Sequence, residues 1–110
     1  MKPQSAKAKG RNLQQWVRDL ILESFPALEP DDVPSTSMGA GGEDLLFSPA
    51  ARRLFPYRVE CKNVEKLNVW NAYQQAEANS GEHEPILIMK KNRKKPLVVI
   101  DAEAFINLLK

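Results

Sequence analysis

A segment with alternating faces, residues 57–62, and an apolar run, residues 85–89, both of strand length, are separated by a stretch in which Val69, Trp70, Ala72, Tyr73 and Ala76 recur at helical spacing. That stretch predicts a helix over residues 68–79, closed by Ser80 and Gly81. Strand, helix, strand is a crossover, and a crossover of this length returns the second strand parallel to the first. A second apolar run, residues 96–100, follows a short basic turn and reads as the other half of a hairpin with residues 85–89. Asp101 then caps a final helix with Ala104, Phe105, Leu108 and Leu109 on one face.

Upstream, Leu13, Trp16, Val17, Leu20 and Ile21 predict a helix over residues 11–24 that Pro26 stops. Residues 29–34 are acidic and proline-containing, a loop. Residues 33–38 and 44–47 are expected as two short strands around a glycine-rich turn, and Ser48-Pro49 opens a brief helical turn before residues 57–62. The expected order is αβββαββα: an α/β chain with a mixed central sheet flanked by helices and its first three strands in a meander. Residues 1–9 show no periodicity and are expected as a flexible basic arm ahead of a single domain over residues 10–110.

With 110 residues, 43% of them hydrophobic and 27% charged, the chain is the size and composition of one globular domain. No apolar run approaches the roughly 20 residues of a membrane span, and the first residues lack the apolar core of a signal peptide. Cytoplasmic location is therefore the expectation. Cys61 is the only cysteine and His83 the only histidine, which excludes an internal disulfide and a zinc site built from those ligand types in one chain. Net charge is only +2, but Lys2, Lys7, Lys9 and Arg11 crowd one end and Lys90, Lys91, Arg93, Lys94 and Lys95 crowd the turn before residue 96. Two such clusters suit a polyanion partner; a solvated turn is the bland alternative for the second.

The chemistry concentrates in residues 58–62, Arg-Val-Glu-Cys-Lys. In a strand, side chains alternate faces, so Glu60 and Lys62 share one face, about 7 Å apart, while Val59 and Cys61 point into the protein. An acid and a base held on a strand with a buried opposite face must pair with each other or coordinate a cation. Asp44, on the neighbouring expected strand, makes the cation the more interesting choice. Taken singly, Asp44 also reads as a turn residue after the glycines, and Glu60 with Lys62 as a surface ion pair.

Gly42-Glu43-Asp44-Leu45 followed by Val59-Glu60-Cys61-Lys62-Asn63 resembles the Asp…Glu-x-Lys signature of the PD-(D/E)XK nucleases, and most of all small Holliday-junction-resolvase-like and phage-type endonucleases. The resemblance spans the chain from about Gly10 onward and implies a restriction-endonuclease-like core. It implies a metal-dependent DNA endonuclease acting on branched or structured DNA, encoded by a phage and serving replication, recombination or packaging. Asp44, Glu60 and the backbone carbonyl of Cys61 would hold Mg²⁺ or Mn²⁺, since these cations take hard oxygen ligands. Lys62 would orient the attacking water and stabilise the transition state, with Gln75 on the following helix approaching the site. Ser37 matches a small hydroxyl residue near the scissile phosphate, and Lys9, Arg11, Lys91, Arg93, Lys94 and Lys95 would hold DNA. The resolvases carry a Glu on the first helix; here that stretch is Leu13-Gln14-Gln15-Trp16, so Gln14 or Gln15 would bond a metal water instead. A homodimer is expected, because cutting both strands of a duplex is simplest for a two-fold pair. The competing function is a catalytically silent nucleic-acid-binding module. Trp16 and Trp70, each among apolar helix neighbours, are expected in the core rather than as base-stacking platforms.

Overall fold

The structure, a computed structural model, describes residues 3–34 and 45–110, with side chains from residue 6 onward. The chain is mixed α/β, with a small three-stranded sheet and helices around it. Helix α1 (Pro3–Ser24) packs against the sheet through Leu13, Val17 and Ile21. It starts at Pro3, so residues 3–9, expected as a flexible arm, are its first turns. Ala6, Lys7, Ala8 and Lys9 are strong helix formers without an apolar stripe, so propensity extends the helix where periodicity gave no signal.

Residues 25–34 fold back along α1. The Arg18 guanidinium holds them, donating from Nε to the Val33 carbonyl at 2.6 Å and from Nη2 to the Pro30 carbonyl at 2.9 Å. The expected strands over residues 33–38 and 44–47 lie mostly outside the described residues. At their described ends, the Leu46 N–H donates to the Pro34 carbonyl (3.0 Å) and the Ser48 N–H to the Asp32 carbonyl (2.9 Å). The partners step in opposite directions, so the two flanks run antiparallel. Helix α2 (Pro49–Leu54) follows, with Ser48 Oγ accepting from the Ala51 N–H at 3.1 Å, the cap that the Ser-Pro pair announced.

Strand β1 (Tyr57–Asn63) pairs in parallel with β2 (Glu84–Lys90), Glu60 opposite Leu87 and Cys61 opposite Ile88. Helix α3 (Val69–Asn79) makes the crossover; Asn68 caps it and Gly81, at φ 59°, releases the chain into β2. Strand β3 (Leu97–Val99) pairs antiparallel with β2, giving the order β1-β2-β3, and α4 (Ala102–Leu108) ends the chain behind the Asp101 cap. Val59, Cys61, Ile86 and Ile88 form one core with α1, joined by Leu28, Val33, Leu45 and Ala51. On the other face Leu87 lies fully buried, with Ala72 and Ala76 of α3.

Two expectations are corrected. Residues 96–100, expected as one full arm of a hairpin, give a β3 of only three residues, with Leu97 and Val98 half exposed. Neither tryptophan expected in the core is there: Trp16 is 47% exposed on the outer flank of α1, and Trp70 is 79% exposed, because the buried side of α3 is Ala72 and Ala76 and Trp70 falls on the opposite side of the first turn.

Candidate active site on strand β1

The alternation of β1 sorts its side chains as the sequence implies. Val59 and Cys61 are buried against α1, and Glu60 and Lys62 lie on the opposite face. That face is not open surface. Glu60 shares a cleft with Arg58, Ala76 and Asn79 of α3, and the Arg58 guanidinium donates to the Asn79 carbonyl, closing the start of the strand onto the helix end. The Glu60 side chain keeps 13% of its surface exposed and Lys62 33%, with Lys62 Nζ 3.8 Å from Glu60 Oε1. At that separation the attraction is Coulombic rather than a formed hydrogen bond, in surroundings less polar than bulk water.

The carboxyl end of β1 gathers further polar groups. The Asn63 Nδ2 donates to the Lys9 carbonyl at 3.1 Å, tying the strand end to the first turns of α1. Asn63 Oδ1, Lys9 Nζ and both amide atoms of Gln14 are buried without a hydrogen-bond partner among the described residues. Gln14 is fully buried, between Leu13 and Val17 on the inner side of α1, whereas Gln15 is exposed. Of the two glutamines nominated by resemblance, Gln14 is therefore the one turned inward. An orphaned buried amide and an orphaned buried ammonium are costly, and such groups in a native fold call for a reason.

The remaining nominated residues divide. Asp44 and Ser37 lie outside the described residues; Leu45, which follows Asp44, is fully buried in the same core as Val59 and Cys61. Gln75 is exposed beside the buried Ala72–Ala76 stripe, and no hydrogen bond joins it to Glu60 or Lys62. Arg11 is exposed on α1, and Lys91, Arg93, Lys94 and Lys95 are exposed on the β2–β3 turn. That turn closes through the Lys94 N–H donating to the Lys91 carbonyl at 3.2 Å, with Arg93 in the left-handed region at φ 65°. Sequence reasoning did not find Lys9 as a buried group or Asn63 as its partner: a lysine among helix formers and an asparagine ending a strand carry no signal of a contact across 54 positions.

Oxygen donors are what the strand offers: the Glu60 carboxylate and the Cys61 carbonyl, a set suited to a hard divalent cation rather than to zinc or copper. Among the described residues no three His, Cys, Asp or Glu side chains cluster as metal ligands, and no helix is long and apolar enough to cross a membrane. Comparison with family models, with curated proteins and with solved structures gives no match.

Proposed function

We propose that the chain is a metal-dependent DNA endonuclease of the PD-(D/E)XK type, hydrolysing phosphodiester bonds in branched or otherwise structured DNA inside the cell. The observation that carries this reading is the Glu60–Lys62 pair, half-sheltered on a parallel strand behind a crossover helix. An isolated ion pair on a surface strand needs no such shelter. Asp44, Glu60 and the Cys61 carbonyl would hold Mg²⁺ or Mn²⁺, which when bound lowers the pKa of a water and neutralises charge on the phosphate. Lys62, already aimed toward Glu60, would stabilise the charge growing on the phosphoryl oxygens and hold the attacking water. Arg11, exposed on α1, would take a neighbouring phosphate, whereas Gln14 lies inward beside Leu13 and Val17, on the side of α1 that covers the opposite face of β1, and has no assigned role in the site.

A second copy of the chain is part of the proposal. Trp16, Leu20, Leu97, Val98, Phe105 and Leu108 line one groove of about 580 Å³, and each is about half exposed. Together they form one exposed apolar strip on the flank of the molecule, the kind of surface that a second copy would cover.

The exposed basic turn favours the alternative, a binding module without catalysis. The Asp44→Ala variant separates the two: the nuclease loses Mg²⁺-dependent cleavage of a four-way junction and keeps its DNA affinity. A chain that binds DNA but cuts nothing in either form is the binding module.

A further inference from the structure

Past the carboxyl ends of β1 and β2 the chain encloses a second cavity, of about 450 Å³, between the β1–α3 connection and the β2–β3 turn. Its two walls are fastened together. The Val64 N–H donates to the Lys90 carbonyl at 3.1 Å, and the Asn92 N–H donates to Glu65 Oε2 at 2.7 Å. Leu67, Val69 and Met89 give the cavity an apolar lining, while Lys91, Lys94 and Lys95 stand on its rim. The lining is net positive: Glu65, its only carboxylate, accepts from a backbone N–H and faces several lysines, and no ion pair joins Lys91, Lys94 or Lys95 to an acid among the described residues.

An apolar chamber of this volume takes a ligand of small-molecule size, and its polar groups dictate which one. Here every uncommitted polar group is a cation, so the ligand has an apolar body and negative charge at its margin. A fatty acid presents a single charge. Three ammonium groups along one rim, continued by the exposed Arg93 at the turn's tip, instead match phosphates repeating on either side of a base. A base stacked in a duplex cannot enter such a chamber without being unstacked, whereas one that is already unpaired enters at little cost.

We propose that this cavity binds one unpaired nucleotide of single-stranded DNA, with the base against Leu67, Val69 and Met89 and the flanking phosphates on Lys91, Lys94 and Lys95. The choice of DNA as the strand rests on the nuclease reading above; the pocket itself does not. Since Val64, the first residue after β1, lies two positions beyond Lys62 in the chain, a nucleotide held here brings the adjoining backbone toward the candidate active site. Selection of branched substrates then follows from their unpaired nucleotides rather than from the shape of a duplex.

The test measures binding by fluorescence anisotropy in EDTA, where cleavage plays no part, using a short oligothymidylate, an abasic strand of equal length and charge, and a duplex. The oligothymidylate is expected to bind at least roughly tenfold more tightly than the abasic strand, as one base seated on an apolar surface warrants. Leu67→Ala should remove most of that difference, and Lys94→Ala with Lys95→Ala should weaken both strands alike. Amide shifts in a ¹⁵N spectrum should fall on residues 64–69 and 89–97. Equal affinity for the oligothymidylate and abasic strands would overturn the proposal, as would shifts confined to other regions or free thymidine monophosphate binding as tightly as the strand. A wild-type protein that shows this base dependence yet cuts no DNA in Mg²⁺ refutes only the nuclease reading.

Discussion

Arg93 occupies φ 65°, the left-handed region, at the third position of the turn that the Lys94 N–H closes on Lys91. A turn of that shape favours glycine there, and a side chain costs roughly 1 kcal/mol. Arg93→Gly should therefore raise thermal stability by about that amount. If the guanidinium also touches phosphate, the same variant weakens DNA binding and lowers the slope of log affinity on log salt by roughly 0.9. An unchanged salt slope would return Arg93 to the role of a strained surface residue. Gln14 sets a parallel case: its amide is buried without a partner, so Gln14→Leu should melt higher than the wild type. A lower melting temperature would mean that the amide is satisfied in solution and serves the fold.

Among the elements, the loop between α1 and α2 depends on one small network. Asp32 accepts from Ser48 Oγ at 2.6 Å and from the Glu29 N–H at 2.8 Å, and these bonds, Ser48 first, hold its carboxyl below the ordinary value of 3.8. A carboxyl so depressed adds stability above pH 3.8 that is lost as pH falls through its folded value. Ser48→Ala removes the larger cause together with the α2 cap, itself worth about 1 kcal/mol. The variant should be less stable than wild type at pH 7, with the gap narrowing in acid; a gap independent of pH would assign the whole effect to the cap. At the alkaline end the sign reverses. Burial, assisted by Glu84, raises the Tyr57 and Tyr73 hydroxyls above 10.0, so their contribution is present below that value and is lost as pH rises through the folded ones.

Legibility followed the strength of local pattern. Strand β1, helix α3, strand β2 and their parallel pairing were readable because an alternating segment and an apolar run flank a periodic stretch, and the Ser48 and Asp101 caps fall where their residue types suggest. The face assignment of Glu60 and Lys62 was readable for the same reason, the two-residue period of a strand. What was not readable depends on which element covers which. Leu97 and Val98 are as apolar as Ile86 and Leu87, but they lie on the edge strand, and a sequence does not record strand order. The shelter that α3 gives Glu60 and the burial of the Lys9 ammonium are likewise products of packing across distant positions.

At the scale of the whole molecule, the sheet divides two chemistries. Its α1 face is a dry core; the ends of β1 and β2 carry the ion pair, the orphaned polar groups and the lysine-rimmed cavity; and α1, β3 and α4 leave an apolar groove on the flank. If that groove is the contact between two copies, sedimentation should give a dimer for the wild type and a monomer for Val98→Asp, with DNA affinity per protomer retained. A wild-type monomer at high concentration would remove the dimer from the account.

The account turns on the Glu60–Lys62 pair being chemistry rather than scaffold. Lys62 lies off the core and 33% exposed, so replacing it with Met should leave the fold intact. The decisive measurement is Mg²⁺-dependent cleavage of a four-way DNA junction by wild type and Lys62→Met proteins whose melting temperatures are compared in the same buffer. The account predicts cutting by the wild type, loss of turnover in the variant and matching melting curves. A Lys62→Met protein that cuts as fast as the wild type, or one that has lost its fold along with its activity, would contradict it.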